Sequence, residues 1–485
     1  MRQMTRWGGP VLAGVFGVLA ALGQAPWGLW PVTLVALAGA FWLMAGVSPR
    51  RAALLGFAFG AGYFGLALSW IVSPFLIEPE KYGWMAPFAL LFMAAGGGVF
   101  WAVAGWIGAR AGLLGLVLAF TSVELARGYV LTGFPWALIG HVWVGSPVAQ
   151  VAALVGPSGL TLLTCASAAL LAALRWPQAL AAVLVLGLGW GFGVQRLAGA
   201  EPAPPGVTLR LVQPNAAQVT KWEAGLAQGH FDRLLRLSGG APVDLVIWPE
   251  TALPFSIDAS PELGPIIGAA AGVPVVLGLQ RREGRRGWNS LAVISPQGAI
   301  TGTYNKHHLV PFGEYIPFGD LAFDWFGISA FAAREGHAYS AGDGAAVLDL
   351  GGKLGKMLPL ICYEAVFPQD LRAAPERAAW ILQITNDAWF GTYSGPYQHL
   401  AQAQLRAIEQ GLPLVRVANT GITAMVDARG RVTARLPMAV EGALEAALPG
   451  ALTAPPYARW GEVPVLLLLA GCALVVIRRR FVAAP

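Results

Sequence analysis

Apolar residues crowd the two ends of the chain and alternate with polar ones between them. Long apolar runs fall at roughly 10–25, 28–47, 52–73, 84–108, 111–126, 147–173 and 178–197, with a last one near 463–477. A helix needs about 20 apolar residues to cross a bilayer. Several runs reach that length; the first and last are short. The pattern predicts seven crossings, a large polar insertion and an eighth crossing. The first run has Arg2 and Arg6 before it and Gly23-Gln24-Ala25 after it, which is also the layout of a cleavable signal peptide. A second spanning run follows at once, which favours a retained helix.

Between the apolar ends the period changes. After the linker Glu201-Pro-Ala-Pro-Pro-Gly206, strand-like runs occur at Val207–Val212, Val243–Trp248, Val273–Leu279, Ser290–Ser295, Leu354–Ile361, Ala379–Thr385 and Leu414–Ala418. Helix-like stretches at 222–237 and 397–410 interleave with them. Residues 424–432, with Asp427-Ala-Arg429-Gly430, read as a hairpin. Strands alternating with helices predict sheets covered by helices. The expected organisation is a helical membrane domain over 1–197, an α/β domain over 198–460 and a C-terminal helix with a basic tail over 461–485.

Composition agrees with a lipid-solvated part. The chain is 56% hydrophobic and 12% charged, where soluble domains carry about 25% charged residues. Residues 1–200 hold three acids, Glu78, Glu80 and Glu124, against nine Lys or Arg. Residues 201–477 are mildly acidic, and Arg478–Arg480 restore the net charge of +6. The basic pI therefore reflects membrane flanks and gives no support for nucleic-acid binding. Arg2/Arg6, Arg50/Arg51, Arg110, Arg175 and Arg478–Arg480 fall in alternate loops. Glu78, Glu80, Lys81, Glu124 and Arg127 read as belonging to the opposite loops. Under the positive-inside rule, residues 198–460 lie outside the cytoplasm.

Three places in the polar insertion combine an apolar run with a reactive group at its end. Cys362 ends Lys356-Met-Leu-Pro-Leu-Ile and is followed by Tyr363-Glu364. A free cysteine is commonly a small buried hydrophobe. A strand that stops at cysteine and turns polar instead presents a thiol at a sheet edge. The other two cysteines, Cys165 and Cys472, lie in apolar runs, so no disulfide framework is implied. Glu250 follows Leu245-Val246-Ile247-Trp248-Pro249. It is a helix cap or surface acid on the plain reading, and a desolvated general base if it points into a cleft. Lys306, in Tyr304-Asn305-Lys306-His307-His308, is one of five lysines against 27 arginines. It is a surface lysine on the plain reading, or a compact cation aimed at an oxyanion. His307 and His308 lack companions at metal-ligand spacing, so no metal or cofactor is expected. Glu314 and Glu364 are candidate supporting acids. Asn386-Asp387-Ala388-Trp389-Phe390-Gly391 follows a strand and is a candidate cleft wall. Trp222, Trp389 and Phe390 are candidates for gripping acyl chains or dipping into the membrane interface. Gly313, Gly319 and Gly327 are candidate hinges.

Trp248-Pro249-Glu250, Lys306 and Cys362 resemble the Glu-Lys-Cys triad of the nitrilase superfamily. Phe134-Pro135-Trp136, Asn305–Tyr315, Cys362-Tyr363-Glu364 and Asn386–Gly391 narrow the resemblance to the apolipoprotein N-acyltransferases, over nearly the whole chain. The resemblance implies an α-β-β-α sandwich inserted before the last of eight membrane helices, in the bacterial inner membrane with the sandwich on the periplasmic side. It implies acyl transfer from a phospholipid to the N-terminal S-diacylglyceryl cysteine of an apolipoprotein, through a thioester on Cys362. Glu250 would be the general base and Lys306 the oxyanion stabiliser. Trp222, Glu314, Tyr363 and Glu364 match positions that matter for activity in the family, and Trp136 would lie near an opening for acyl chains. A monomer is expected.

Two other readings compete. A membrane-tethered amidase or nitrilase would use the same triad and release an amine. A transporter or inert scaffold predicts polar residues in mid-span, and these spans hold almost none.

Overall fold

The computed structural model describes residues 7–218, 223–255, 257, 260–284, 286–316 and 338–482. Trp222, Gly319 and Gly327 lie outside the described residues, as do Arg2 and Arg6. The chain forms two compact units. One comprises Met1–Ala200, Tyr393–Gln410 and Ala454–Pro485; the other comprises Glu201–Thr392 and Gly411–Thr453.

The first unit is helical. Helices span Gly8–Ala21, Trp30–Met44, Pro49–Ala67, Ala86–Gly108, Gly112–Arg127, Ala152–Ala172, Trp176–Leu197 and Val463–Val482. Among the described residues, three stretches are long and apolar enough to cross a membrane: Pro79–Arg127, Pro147–Ala172 and Trp176–Leu197. A fourth is reached if Pro49–Ala67 and Ser69–Leu76, bent by 48°, count as one. Gly8–Ala21, Trp30–Met44 and Val463–Arg478 are apolar but shorter. Length and apolarity thus give three or four spans where the sequence pattern predicted eight.

Lipid offers helices no hydrophobic drive to associate, so packing must hold them. Here aromatic rings do much of it. Trp101 stacks on Phe59 at 4.8 Å and lies 4.8 Å from Tyr63 and 5.5 Å from Phe120. Glu124 and Arg127, expected at a loop, are buried in the last turn of Gly112–Arg127. They form an ion pair at 3.0 Å. Trp101 Nε1 donates to Glu124 at 2.9 Å, and Arg127 donates to the carbonyls of Phe134 and Trp136. The pair is tolerated because nearly every polar atom has a partner, as burial demands.

Helix Gly395–Gln410, expected in the α/β domain, belongs to the helical unit. Its Leu405 and Ile408 pack with Leu34, Val142 and Leu160, and its Gln398 accepts from Trp136 Nε1 at 2.7 Å. The amphipathic pattern showed a helix but not the surface that covers it.

The second unit holds two six-stranded sheets. The first is ordered β12-β1-β2-β3-β4-β5, with β1 Thr208–Gln213, β2 Leu245–Ile247, β3 Val275–Glu283, β4 Arg286–Ile294, β5 Ile300–Asn305 and β12 Gly442–Ala447. The second is ordered β11-β10-β9-β8-β7-β6, with β6 Leu348–Asp349, β7 Lys356–Ile361, β8 Trp380–Thr385, β9 Leu414–Ala418, β10 Thr423–Val426 and β11 Val432–Leu436. The central strands β7, β8 and β9 run parallel and are almost wholly buried, which is why they read as continuous apolar runs. Helices Ala224–Ser238 and Leu263–Ala271 cover the first sheet through Phe231, Leu234, Leu263 and Ile267 packed on Val246, Trp248 and Leu277. Glu201 in the linker is tied down by ion pairs to Arg429 and Arg431. β5 and β12 were not anticipated. Their Gly-, Thr- and Ala-rich sequences carry little apolar alternation, and pairing with β4 and β1 defines them.

One glycine governs how β2 feeds the site. A Cβ on Gly278 of β3 would stand 2.5 Å from Pro249 O, 2.5 Å from Thr251 N and 2.7 Å from Glu250 Cα. All three neighbours are backbone and cannot swing aside. Gly278→Ala is expected to lower the thermal midpoint of the detergent-solubilised chain, at a cost of about 1–3 kcal/mol, and to displace Glu250. An unchanged midpoint with unchanged activity would show that this segment shifts freely.

Candidate active site

Three strands end at the site. Glu250 comes three residues after β2, Lys306 directly after β5 and Cys362 directly after β7. The first two leave one sheet and the third leaves the other. All three side chains are buried: Glu250 is 6% exposed, Lys306 1% and Cys362 4%. Burial removes the surface-lysine and surface-acid readings.

Lys306 Nζ sits 2.8 Å from Glu314 Oε2 and 3.9 Å from Glu250 Oε1. Burial alone would lower the pKa of this ammonium. The carboxylates of Glu314 and Glu250, with Cys362 beside them, outweigh it and hold the pKa above the ordinary lysine range, so Lys306 stays charged. Glu250 is fixed at both oxygens: Asn289 Nδ2 donates to Oε1 at 2.7 Å and the Asn386 backbone N–H donates to Oε2 at 2.7 Å. Asn289 Nδ2 also lies 3.0 Å from Glu314 Oε1, so one amide bridges both acids. Glu314 further accepts from the Val310 N–H at 2.8 Å, which folds the segment after Lys306 back onto the ammonium.

Cys362 has φ 54°, a left-handed conformation that a residue with a side chain adopts only under constraint. The constraint is visible. Glu364, two residues on, accepts from the Ile361 N–H at 2.7 Å, the Tyr304 hydroxyl at 2.8 Å and the His307 N–H at 2.8 Å. Burial would push the Glu364 carboxyl up, but His307, the Ile361 N–H and the Lys306 charge hold it below the usual carboxylate range. Glu364 thereby ties the turn carrying the thiol to the segment carrying Lys306. His308 Nδ1 lies 2.8 Å from Asp370 Oδ2 and stacks on Phe367. Burial pushes the Cys362 thiol well above its ordinary value, and the Glu250 charge adds to the push. Lys306 pulls the other way without reversing it. At neutral pH the resting group is a thiol.

The structure therefore brings Glu250, Lys306, Cys362, Glu314 and Glu364 into one network. Tyr363 is buried beside them, edge-on to His308 and Phe367. Trp389 is half-buried and Phe390 buried after β8. Trp136 is wholly buried in the helical unit, 4.6 Å from the Trp70 ring, and exposes no surface to an acyl chain. Gly313 lies beside Glu314 in the described part of its loop. Sequence reasoning missed Asn289, Thr385, Gln383 and Arg416. The available signal was a polar residue inside a buried strand, as in Trp380-Ile-Leu-Gln383-Ile-Thr385.

Comparison with known proteins bears on both units. A family model described as "Carbon-nitrogen hydrolase" matches residues 208–455, and one described as "Apolipoprotein N-acyltransferase N-terminal domain" matches residues 16–170. A Bradyrhizobium diazoefficiens protein named "Apolipoprotein N-acyltransferase" is 37% identical, covering 98% of this chain and 95% of its own length. Proteins of that name from Rhodopseudomonas palustris and Caulobacter vibrioides are each 36% identical over 98% of this chain and 96% and 95% of theirs.

The charge arrangement fixes a pH response. Removing the negative charge of Glu250 lowers the cost of ionising the neighbouring thiol, so its pKa must fall. Alkylation of Cys362 by iodoacetamide, followed against pH, is expected to have a lower midpoint in Glu250→Gln than in the parent chain. A midpoint that stays or rises would show that Glu250 exerts no field on the sulfur.

Proposed function

This chain belongs to the apolipoprotein N-acyltransferase family, a family of acyltransferases, and from that premise we propose how its own residues act. It moves an acyl chain from a membrane phospholipid to the α-amino group of an S-diacylglyceryl cysteine at a lipoprotein N-terminus. The observation that carries this reading is the burial of a carboxylate, an ammonium and a thiol in one network, within a chain whose other unit is built of apolar helices.

Glu250 takes the thiol proton as Cys362 Sγ attacks the ester carbonyl of the phospholipid. The carbonyl oxygen becomes an oxyanion beside Lys306 and the Tyr363 backbone N–H. One donor of this kind is worth roughly 10²–10³ in rate. The C–O bond then breaks, and protonated Glu250 returns its proton to the departing lysophospholipid. The product is a thioester on Cys362. A neutral amine next attacks that carbonyl, Glu250 takes the amine proton, and the C–S bond breaks. The proton passes to sulfur and restores the thiol. Two substrates using one site in turn give ping-pong kinetics.

Both substrates are lipids, so the apolar unit holds the enzyme where they are. The eight helices from Gly8–Ala21 to Val463–Val482 are taken as eight crossings, the shorter ones completed by flanking residues. That places Arg50/Arg51, Arg110, Arg175 and Arg478 on the cytoplasmic side of a bacterial inner membrane, with the two-sheet unit on the periplasmic side as the α-β-β-α sandwich. Trp389 and Phe390 are the described candidates for acyl-chain contact. The amidase reading is weaker. The carbon-nitrogen hydrolase match stops at residues 208–455, while relatives carrying the acyltransferase name cover nearly the whole chain.

Cys362→Ser is expected to abolish thioester formation, checked by intact-protein mass spectrometry after incubation with phosphatidylethanolamine. An acylated adduct persisting in that variant would move the nucleophile elsewhere. Glu250→Gln is expected to lower turnover by about 10²–10⁴ with the thermal midpoint little changed. Near-normal turnover would assign the base to another group.

A further inference from the structure

Arg416 lies in the middle of β9, in Leu414-Val415-Arg416-Val417-Ala418, and is wholly buried. A guanidinium inside an apolar parallel strand is costly unless every donor is used. Its partners point toward the nucleophile. Nη1 donates to Gln383 Oε1 at 2.6 Å, Nε donates to the Ile422 carbonyl at 3.2 Å, and Nη2 is ion-paired with Asp387.

Both side-chain partners reach Cys362. Gln383 sits on β8, directly opposite Arg416 in one register and opposite Leu360 of β7 in the other. Its Nε2 donates to the Cys362 carbonyl at 3.1 Å. That carbonyl belongs to the residue held at φ 54°. Asp387 Oδ1 accepts from the Thr385 hydroxyl at 3.0 Å, and the Thr385 side chain lies against the Cys362 thiol. Gln383 and Asp387 are themselves wholly buried. Space is reserved for this arrangement, since a Cβ on Gly421 would run into Asp387 Oδ2.

We propose that Arg416 is a positioning residue for the nucleophile. Through Gln383 it fixes the backbone carbonyl of Cys362, and through Asp387 it fixes the Thr385 side chain beside the thiol. A carboxamide can rotate and exchange its two ends; a guanidinium bonded to Oε1 leaves only Nε2 for the Cys362 carbonyl. The strained turn is thereby held from beneath by three adjacent strands, independently of Glu364, which holds it from the side of Lys306.

The proposal rests on Cys362 being the acylated residue, and the test separates the two claims. The full-length chain in detergent is mixed with excess phosphatidylethanolamine, and the single-turnover rate of Cys362 acylation is followed by intact-protein mass spectrometry. Arg416→Lys keeps the charge opposite Asp387 but cannot also bond Gln383 and Ile422. Gln383→Met keeps the volume and the Arg416–Asp387 pair but removes the bond to the Cys362 carbonyl. Each is expected to slow acylation by about tenfold to a hundredfold, the scale of a small misplacement of a reacting group. The apparent phospholipid affinity should stay within about twofold. Should Arg416→Lys not fold, Gln383→Met decides alone. Acylation within about twofold of the parent rate in Gln383→Met overturns the positioning role. So does a loss confined to phospholipid affinity. If the parent chain forms no Cys362 adduct, the acyl-enzyme reading is what fails.

Discussion

The site depends on a single buried ammonium. Lys306 lies among Glu314, Glu250 and Cys362 with almost no access to water, and an isolated charge there would cost several kcal/mol. The two carboxylates make it tolerable and in turn need it. With both acids ionised, the four groups carry one net negative charge. A second negative charge on sulfur would have to be created in the same dry space, which is why the thiol resists ionisation on its own. Passing the thiol proton to Glu250 leaves the net charge of the cluster unchanged. The charge balance thus disfavours a free thiolate waiting for substrate. Charge would then appear on the substrate oxygen, next to the cation already in place.

Such a cluster works only if its members cannot drift. Glu250, Lys306 and Cys362 each sit just past the end of a strand, where the ladder stops and side chains or backbone amides must take over. Asn289 bridges the two acids from the neighbouring strand. The Asn386 N–H and Asn289 together leave Glu250 one orientation. Glu364 gathers N–H groups from the turns of Lys306 and Cys362. Below Cys362, Gln383, Asp387 and Arg416 form a second, fully buried polar layer. Networks of this kind specify a geometry when satisfied and penalise any other, which is what a transfer with two successive substrates requires.

Much of this was readable in the chain. Leu245–Trp248, Lys356–Ile361 and Trp380–Thr385 are apolar runs cut off by Pro249, Cys362 and Asn386, so the strands and the candidate residues at their ends could be named. What could not be read depends on register or on tertiary cover. Arg416 and Gln383 look like ordinary polar positions until β8 and β9 are paired. Asn289 falls just before the run Ser290–Ser295, where nothing in the sequence marks it as a partner of two acids. Glu124 and Arg127 carry charge at the end of an apolar run, the usual mark of a loop, yet pair with each other and with backbone carbonyls inside the helical unit. Helix 395–410 announces its amphipathicity but not its neighbours. The eight-crossing pattern rests on runs such as Gly8–Ala21 that are short when measured as helices.

The most direct test is to give the chain one substrate and withhold the other. Incubated with phosphatidylethanolamine and no acceptor, the protein should gain a single acyl mass on the peptide containing Cys362. It should release one equivalent of lysophospholipid and then stop until a diacylglyceryl-cysteine peptide is added. Continuous release of lysophospholipid without acceptor, or an acyl group found on any other residue, would contradict the account.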